Sequence, residues 1–482
     1  MRRSTLWFTM GAIVAPTVVT AQTRTRADMV RALDSLAMAP IQRGQIAGTS
    51  VAVVKGRDTI LIKGYGSADL DLDLAGAMTV IAPSIVTAQG RNADGSLVQP
   101  EVALINANVV DVRAGAVRRG VTVLVRAGRI ASVGAVDIGA GVTVIDLRGK
   151  YVVPGLMDAH THLDNLAAAR RVLETGVTTV RSASVGSFRD VALREMAKAG
   201  FIAGPDVLAA GLFVTPNLDD AILADPSLGN LIVGVTTIDR LRQLVRANAA
   251  HGVDVIKTRG TERAGRPETD PRQQVYTEAE LRAVVDEAAT KNIPVLAHAH
   301  GDEGAYAAVK AGVRSIEHGT YLSDSTLALM KTRGTYLVPT YSTLVDLVEP
   351  GGDYDDPVTK ARGIHMMPRM EETFRKAHGL GLKIVTGADV GYTPASITRV
   401  SHEVANFVKL GMTPLEALQS ATITAAELFR IEKRTGAIDP GLEADLIVVE
   451  DNPLEVVRTL QDVLFVMSNG RIAIDRLRFG KP

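Results

Sequence analysis

Eight short apolar runs, each followed by a stretch of helical periodicity, divide the chain between about residues 154 and 435, and this alternation limits the possible folds more than any other feature. The runs are Val153–Asp158, Thr178–Val180, Asp206–Leu208, Val253–Lys257, Pro294–His298, Ser315–His318, Thr335–Val338 and Lys383–Thr386. Amphipathic patterns such as Glu278 to Ala288 and Leu327 to Lys331 lie between them. Strand and helix signals in strict alternation predict an α/β fold, and eight such units predict a (β/α)8 TIM barrel. Functional side chains of that architecture sit at the C-terminal ends of the strands.

The ends of these runs carry the chemistry. Val152-Val153-Pro154-Gly155-Leu156-Met157-Asp158-Ala159-His160-Thr161-His162 closes in two histidines one residue apart. On a strand, positions i and i+2 share a face, so His160 and His162 would project together and could hold a divalent transition metal. Lys257 ends the fourth run, His298 the fifth and His318 the sixth, and Asp389 follows the eighth. The chain has only 9 histidines, so four of them at successive strand ends form a pattern far stronger than any one pair. With 0 cysteines, thiolate ligands and disulfides are excluded, and a metal must sit on histidine, carboxylate or modified lysine.

Short strand signals flank this middle part. Val102–Ile105, Val109–Val112, Val121–Val125, Arg129–Val133 and Val142–Asp146 are separated by Gly and Asn turns. The pattern returns at Ala444–Val449 and Val463–Met467, with Asn469-Gly470 as a hairpin turn. Strands from both ends would form a flanking β-sandwich, spanning 101–153 and 436–482 around a barrel at 154–435.

The N-terminal part reads differently. Arg2-Arg3 precede an apolar stretch from Leu6 to Val19 that ends in Val19-Thr20-Ala21-Gln22, which predicts a signal peptide over 1–21 and export to a periplasm or the cell exterior. The apolar run is too short to span a bilayer, so no stable membrane insertion is expected after cleavage. Within 28–73, an amphipathic Val30–Leu36 precedes two strands, Gly48–Lys55 and Asp58–Lys63, around a tight turn. This stretch resembles the opening helix and hairpin of serine β-lactamase and penicillin-binding-type hydrolases. No serine of the chain has a lysine three positions later, so that chemistry is absent and the segment reads as a remnant. Ile13–Gln22 is nearly repeated by Val80–Gln89, a second signal-like end inside the chain. A fusion or a chance similarity of Ala/Val-rich sequence both account for it. Residues 22–100 are thus expected to hold the remnant and a linker at about 75–100.

The second part of the chain resembles the amidohydrolase superfamily of metal-dependent hydrolases, in its imidazolonepropionase-like or prolidase-like branch. The residues that carry the likeness are Gly155–His162, Val255-Ile256-Lys257, Ala297-His298-Ala299-His300-Gly301, Ser315–Gly319, Thr386-Gly387-Ala388-Asp389 and Gly436–Leu446. The likeness covers about 102–475. It implies two divalent metal ions, zinc by preference, with His160, His162 and Asp389 on one, His298 and His318 on the other, and a carbamylated Lys257 bridging both. It also implies that the two ions share a hydroxide that attacks an amide carbonyl, with Asp389 as general acid and base.

Further residues have less defined roles. His300 could contact substrate, steady a developing oxyanion, or replace His298 as ligand. His402 could line the mouth or sit on a helix surface. Tyr321, Tyr341 and Tyr392 follow the sixth, seventh and eighth runs as substrate-contact candidates. Arg181 stands where relatives often carry an acid; it could meet a substrate carboxylate or be structural. Arg259 and Arg263, in the polar loop after Lys257, could bind a C-terminal carboxylate. The expected substrates are dipeptides or N-acyl amino acids cleaved at a C–N amide bond. The alternatives are a cyclic amide, as in imidazolonepropionase or hydantoinase chemistry, and a non-catalytic binding protein with a decayed site. The formal net charge of +0 and the lack of basic runs exclude nucleic acid as a partner, and a homo-oligomer stays possible.

Overall fold

The computed structural model describes residues 48–55, 58–66, 101–351, 354 and 356–480. The expected signal peptide, the Val30–Leu36 pattern, the internal signal-like copy and the linker lie outside the described residues. The chain divides after Ala88 into two units. In the first, β1 (Gly48–Lys55) and β2 (Asp58–Gly66) pair antiparallel with Lys55 opposite Asp58, the hairpin expected from the sequence.

The second unit opens with β3 (Val102–Asp111), β4 (Ala116–Arg126), β5 (Arg129–Gly134), β6 (Thr143–Asp146) and β7 (Tyr151–Pro154). The strands β8 (Leu156–Thr161), β9 (Val177–Ser182), β10 (Asp206–Leu208), β11 (Ile256–Arg259), β12 (Val295–Ala299), β13 (Ser315–His318) and β14 (Tyr336–Val338) follow, with helices between them. The chain closes with β15 (Leu446–Val449), β16 (Phe465–Ser468) and β17 (Arg471–Asp475).

The terminal strands were expected as two facing layers. They are instead hydrogen-bonded as one mixed sheet in the order β17-β16-β15-β7-β3-β4-β5, with β6 also on β3. The reason is that β15 pairs edge to edge with β7, Leu446 opposite Pro154 and Val449 opposite Tyr151. The sheet then turns back on itself, because the segment leading into β15 bonds to the far edge strand: Ile130 N–H donates to Leu442 O (2.9 Å) and Ala444 N–H to Gly128 O (2.8 Å). Alternating residues Val102, Leu104, Val123, Val125, Leu446, Val448, Phe465 and Met467 fill the enclosed side. Asn469-Gly470, with φ of 50° and 72°, makes the β16–β17 turn as its sequence predicts.

The middle part has a TIM-barrel-type α/β arrangement. Strands β8, β9 and β10 form one parallel arc, and β11 to β14 form a second. At one gap, Val214 N–H donates to Lys257 O (2.8 Å). At the other lies the eighth expected run. It forms no ladder, yet Val385 N–H donates to Leu337 O (2.9 Å) and Ala159 N–H donates to Thr386 O (2.9 Å), so it bonds to β14 and β8 in turn. Gly387 permits the approach, since a Cβ there would stand 2.7 Å from Val338 Cγ1 and 2.9 Å from His160 Cβ. Strands β8, β9, β12, β13 and β14 are buried along their whole length. Such near-continuous apolar runs suit a parallel layer covered by helices. Among the described residues no helix is long and apolar enough to cross a membrane.

Asp445, where the sheet meets the middle part, gives a pH test of this packing. It is buried, its Oδ1 accepting from Asn469 N–H and its Oδ2 from the Thr435 hydroxyl, both at 2.8 Å. Burial, and then the neighbouring Asp206, push its carboxyl from 3.8 up to about 7. The folded value lies above the unfolded one. The contribution to stability is therefore fully present below about pH 4 and is lost as pH rises through about 7. Asp445→Asn keeps an oxygen for Asn469 and an amide for Thr435. Urea unfolding at pH 8 is expected to show the variant stabilised by on the order of 2 kcal/mol relative to its standing at pH 5. Parallel pH dependences for wild type and variant would contradict this account.

Candidate metal centre

Strand geometry brings the candidate ligands to one end of the parallel layer. His160 lies near the end of β8 and His162 just beyond it. Lys257 is on β11, opposite Leu296 of β12. His298 of β12 lies opposite Glu317, and Ala299 opposite His318. Asp389 N–H donates to His160 O at 2.8 Å, which fixes the end of the eighth run beside β8. His318 and Asp389 have φ of 73° and 53°. Non-glycine residues seldom adopt such values, and the strain concentrates at functional sites.

The side chains converge. Asp389 Oδ1 lies 3.1 Å from His162 Nε2 and 3.3 Å from His160 Nε2, and Lys257 Nζ lies 3.3 Å from His160 Nε2. His318 stacks on His300 with ring centroids 4.5 Å apart and meets His298 edge-on at 4.5 Å. Ligand atoms of His298, His300 and His318 lie within 4.8 Å of one another, as do those of His160, His318 and Asp389. Each imidazole is oriented by a second partner. Nδ1 of His160 meets Glu317 (2.8 Å), that of His162 donates to Ser184 O (2.7 Å), and those of His300 and His318 meet the hydroxyls of Thr320 (2.8 Å) and Thr340 (2.6 Å). His298 is reversed: its Nε2 donates to Glu262 O at 2.9 Å, leaving Nδ1 as its lone-pair nitrogen.

The electrostatics suit cations. Burial, then the charge of Lys257, pushes His160 down to about 4. Burial also takes His300 to about 3 and holds His298 and His318 well below the ordinary imidazole value. Neutral imidazole is the ligand form. Burial opposes ionisation of Asp389, yet His160, His162 and Lys257 together hold its carboxyl well below the usual range. Five imidazoles, a carboxylate and a lysine with no thiol make a donor set that fits zinc or another borderline divalent ion.

The cluster floors a polar cavity of about 660 Å³ that also touches Arg259, Arg263, Phe213, Thr343 and Tyr354. The two arginines differ. Arg259 is occupied, its Nη1 on Glu262 Oε2 (2.7 Å) and its Nε on the Thr215 hydroxyl (2.8 Å). Arg263 has no such partner among the described residues; its Cζ sits 5.2 Å above the Phe213 ring. Other candidates do not reach the cavity. Tyr341 is buried with its hydroxyl on Glu371 (2.9 Å), and Tyr392 donates to Asp158 (2.7 Å). Tyr321 faces His365, ring centroids 6.4 Å apart, and His402 lies beside Arg399, Lys409 and Arg458. Position after a strand brought these residues to attention, but Tyr321 and Tyr341 turn toward the helix Pro357–Gly379, Tyr392 turns to Asp158 of β8, and His402 lies on the helix Val400–Lys409. His300 does line the cavity.

Sequence reasoning missed Glu317, Ser184, Thr320, Thr340 and Thr343. Glu317 had a usable signal: a carboxylate inside an apolar strand cannot be buried without a partner. Thr343, whose hydroxyl donates to Asp389 Oδ2 (3.1 Å), had none.

Comparison with known proteins fits this geometry. The amidohydrolase family model matches residues 151–473. Ochratoxinase of Aspergillus niger is 28% identical over 367 residues, covering 67% of this chain and 76% of its own. Imidazolonepropionase of Symbiobacterium thermophilum is 27% identical over 394 residues, covering 69% and 84%. A Xaa-Pro dipeptidase solved with methionine bound in its active site superposes with a TM-score of 0.69 at 29% identity, covering 77% of this chain and 99% of that one. The chain belongs to the amidohydrolase family and is a hydrolase acting on carbon–nitrogen bonds.

Proposed function

We propose that this hydrolase is an exported, metal-dependent enzyme that cleaves the amide bond of dipeptides or N-acyl amino acids. The observation that carries the reading is the convergence of the ligand cluster on a cavity lined by guanidinium groups, among them that of Arg263, which has no side-chain hydrogen bond among the described residues. The similarity to a Xaa-Pro dipeptidase supports the substrate class. Export rests on Arg2-Arg3 and the apolar run Leu6–Val19, and N-terminal sequencing of the secreted protein checks it. A start at Gln22 retains the remnant; a start near Gln89 removes it.

His160, His162 and Asp389 would hold one ion, His298 through Nδ1 and His318 the other, and Lys257 both, as its N-carboxylate. Two divalent ions bound there would polarise the amide carbonyl and acidify water at neutral pH. The chain's own residues supply the rest. Asp389, steadied by Thr343, accepts the proton of the attacking water and returns it to the leaving nitrogen. With the Thr320 hydroxyl donating to its Nδ1, His300 has Nε2–H free to donate to the carbonyl oxygen as charge develops there. Arg263 binds the substrate carboxylate in a two-pronged contact.

A second reading, hydrolysis of a cyclic amide, is favoured by the likeness to imidazolonepropionase. Metal analysis followed by a panel of dipeptides, N-acyl amino acids and cyclic amides tests both. About two equivalents of zinc per chain are expected, and a purified protein that binds none defeats the proposal. Arg263→Ala is expected to raise KM about 10–100-fold for substrates with a free carboxylate and to leave their carboxamide analogues unchanged. Equal effects on both would remove Arg263 from substrate recognition.

A further inference from the structure

Beneath the histidine cluster lies a buried ion pair that the reaction does not consume. Glu317 is 0% exposed and Arg181 3%. Arg181 Nη2 donates to Glu317 Oε1 (2.8 Å), its Nη1 to the Ser315 hydroxyl (3.0 Å) and its Nε to Ala159 O (2.8 Å). Ser315 Oγ adds a 2.5 Å bond to the same Glu317 oxygen. The second oxygen of Glu317 takes the Nδ1 proton of His160 at 2.8 Å. Arg181 does not line the substrate cavity. It borders a separate cavity of about 220 Å³, where Asp254, Val255, Pro294 and Val295 mark the opposite, N-terminal ends of the strands. A substrate-carboxylate role for Arg181 is thereby set aside.

Buried ion pairs add little net stability, because desolvation of both charges offsets their attraction. Their value is in fixing geometry. The five histidines of the centre make the asymmetry plain. His162 and His298 rest on backbone carbonyls, His300 and His318 on threonine hydroxyls, and only His160 rests on a charge. A carboxylate that accepts the Nδ1 proton locks the tautomer, aims Nε2 inward, and makes that nitrogen a stronger donor to a cation.

We propose that Arg181 and Glu317 are a positioning pair for one half of the metal centre: Arg181 fixes Glu317, and Glu317 fixes His160. This rests on the metal-dependent reading above. The pair acts on the ion held by His160 and leaves the ion of His298 and His318 alone.

Glu317→Gln by itself strands a buried guanidinium and could unfold the chain, so the decisive variant is Arg181→Met with Glu317→Gln, which buries no charge. Full-length protein is stripped with chelator and titrated with zinc against a competing chelator. One equivalent is expected to bind about 10–100-fold more weakly than in wild type and the other as in wild type. The same variant is expected to lose kcat with KM nearly unchanged. Wild-type affinity for both equivalents, equal weakening of both, or failure of the double variant to fold each overturns the positioning role. A wild type that takes up no zinc defeats the metal-dependent reading itself, whereas a wild type loading two equivalents beside an identical variant defeats only the pair.

Discussion

Asp389→Asn is expected to lower kcat by about 10³-fold while close to two equivalents of metal stay bound. Asparagine keeps an oxygen where Asp389 Oδ1 faces His160 and His162, and its amide nitrogen, in the place of Oδ2, donates to the Thr343 hydroxyl oxygen instead of accepting from it. It loses the negative charge and the ability to take a proton. The backbone should tolerate the change, because asparagine is among the residues best suited to a φ of 53°. Metal content measured beside single-turnover kinetics separates the two roles of the carboxylate. Metal loss in step with activity would make Asp389 a ligand only. Intact metal with intact rate would leave the proton transfer to another group.

The histidines, Lys257 and Asp389 were legible in the sequence because apolar runs alternate with helical stretches and several of the runs end in a histidine, a lysine or an aspartate. Their supports were not. Period-two alternation places Ser315 and Glu317 on one face of β13 and His318 on the other. A φ of 73° at His318 breaks the alternation, so Glu317 and His318 both reach His160. Nothing in the residues Ser315-Ile316-Glu317-His318 announces that twist. Thr320, Thr340 and Thr343 are ordinary loop residues until the strands are in place. The tyrosines failed for the converse reason: proximity in sequence to a strand end says nothing about which way a side chain turns.

The fold shows the same division. Apolar runs and turn residues foretold eight strands in the middle part, of which seven form, and the Asn469-Gly470 hairpin. Lys383–Thr386 has the composition of a strand, yet hydrogen-bonds to β14 and β8 only one residue at a time. Gly387 lets it pass within contact of Val338 and His160, and that close crossing replaces a regular ladder. The flanking strands were read in the right places, except that Val102–Ile105 and Val109–Val112 are one strand, β3, and the run Val153–Asp158 is divided between β7 of the flanking sheet and β8. Their pairing depended on the long-range contact of β15 with β7, which no local pattern encodes.

Lys257→Ala is expected to be the most damaging single change, with metal content falling well below two equivalents and kcat/KM dropping by about 10⁴-fold or more. The argument is one of charge. Lys257 is 2% exposed and its Nζ lies 3.3 Å from His160 Nε2, within the cluster that the proposed metal centre would occupy. An ammonium there opposes a divalent ion by about 4 kcal/mol for each pair of unit charges at 4 Å. Burial already lowers its pKa to about 8, which leaves about a tenth of the side chain neutral at pH 7, far more than for an exposed lysine. The neutral amine can attack CO2, forming an N–C bond and releasing one proton, and the side chain passes from a cation to an anion. That reversal of sign exceeds what any one hydrogen bond in the site contributes. Alanine can make neither form. Lys257→Met, which keeps most of the buried volume, controls for packing and should lose metal equally. The chemistry has its own signature in the wild type. Stripped protein reloaded with zinc in CO2-free buffer should regain activity slowly, and added bicarbonate should speed the recovery. Recovery indifferent to bicarbonate, or a Lys257→Met protein that binds two equivalents and turns over normally, would reduce Lys257 to a buried lysine in the field of Glu317 and Asp389.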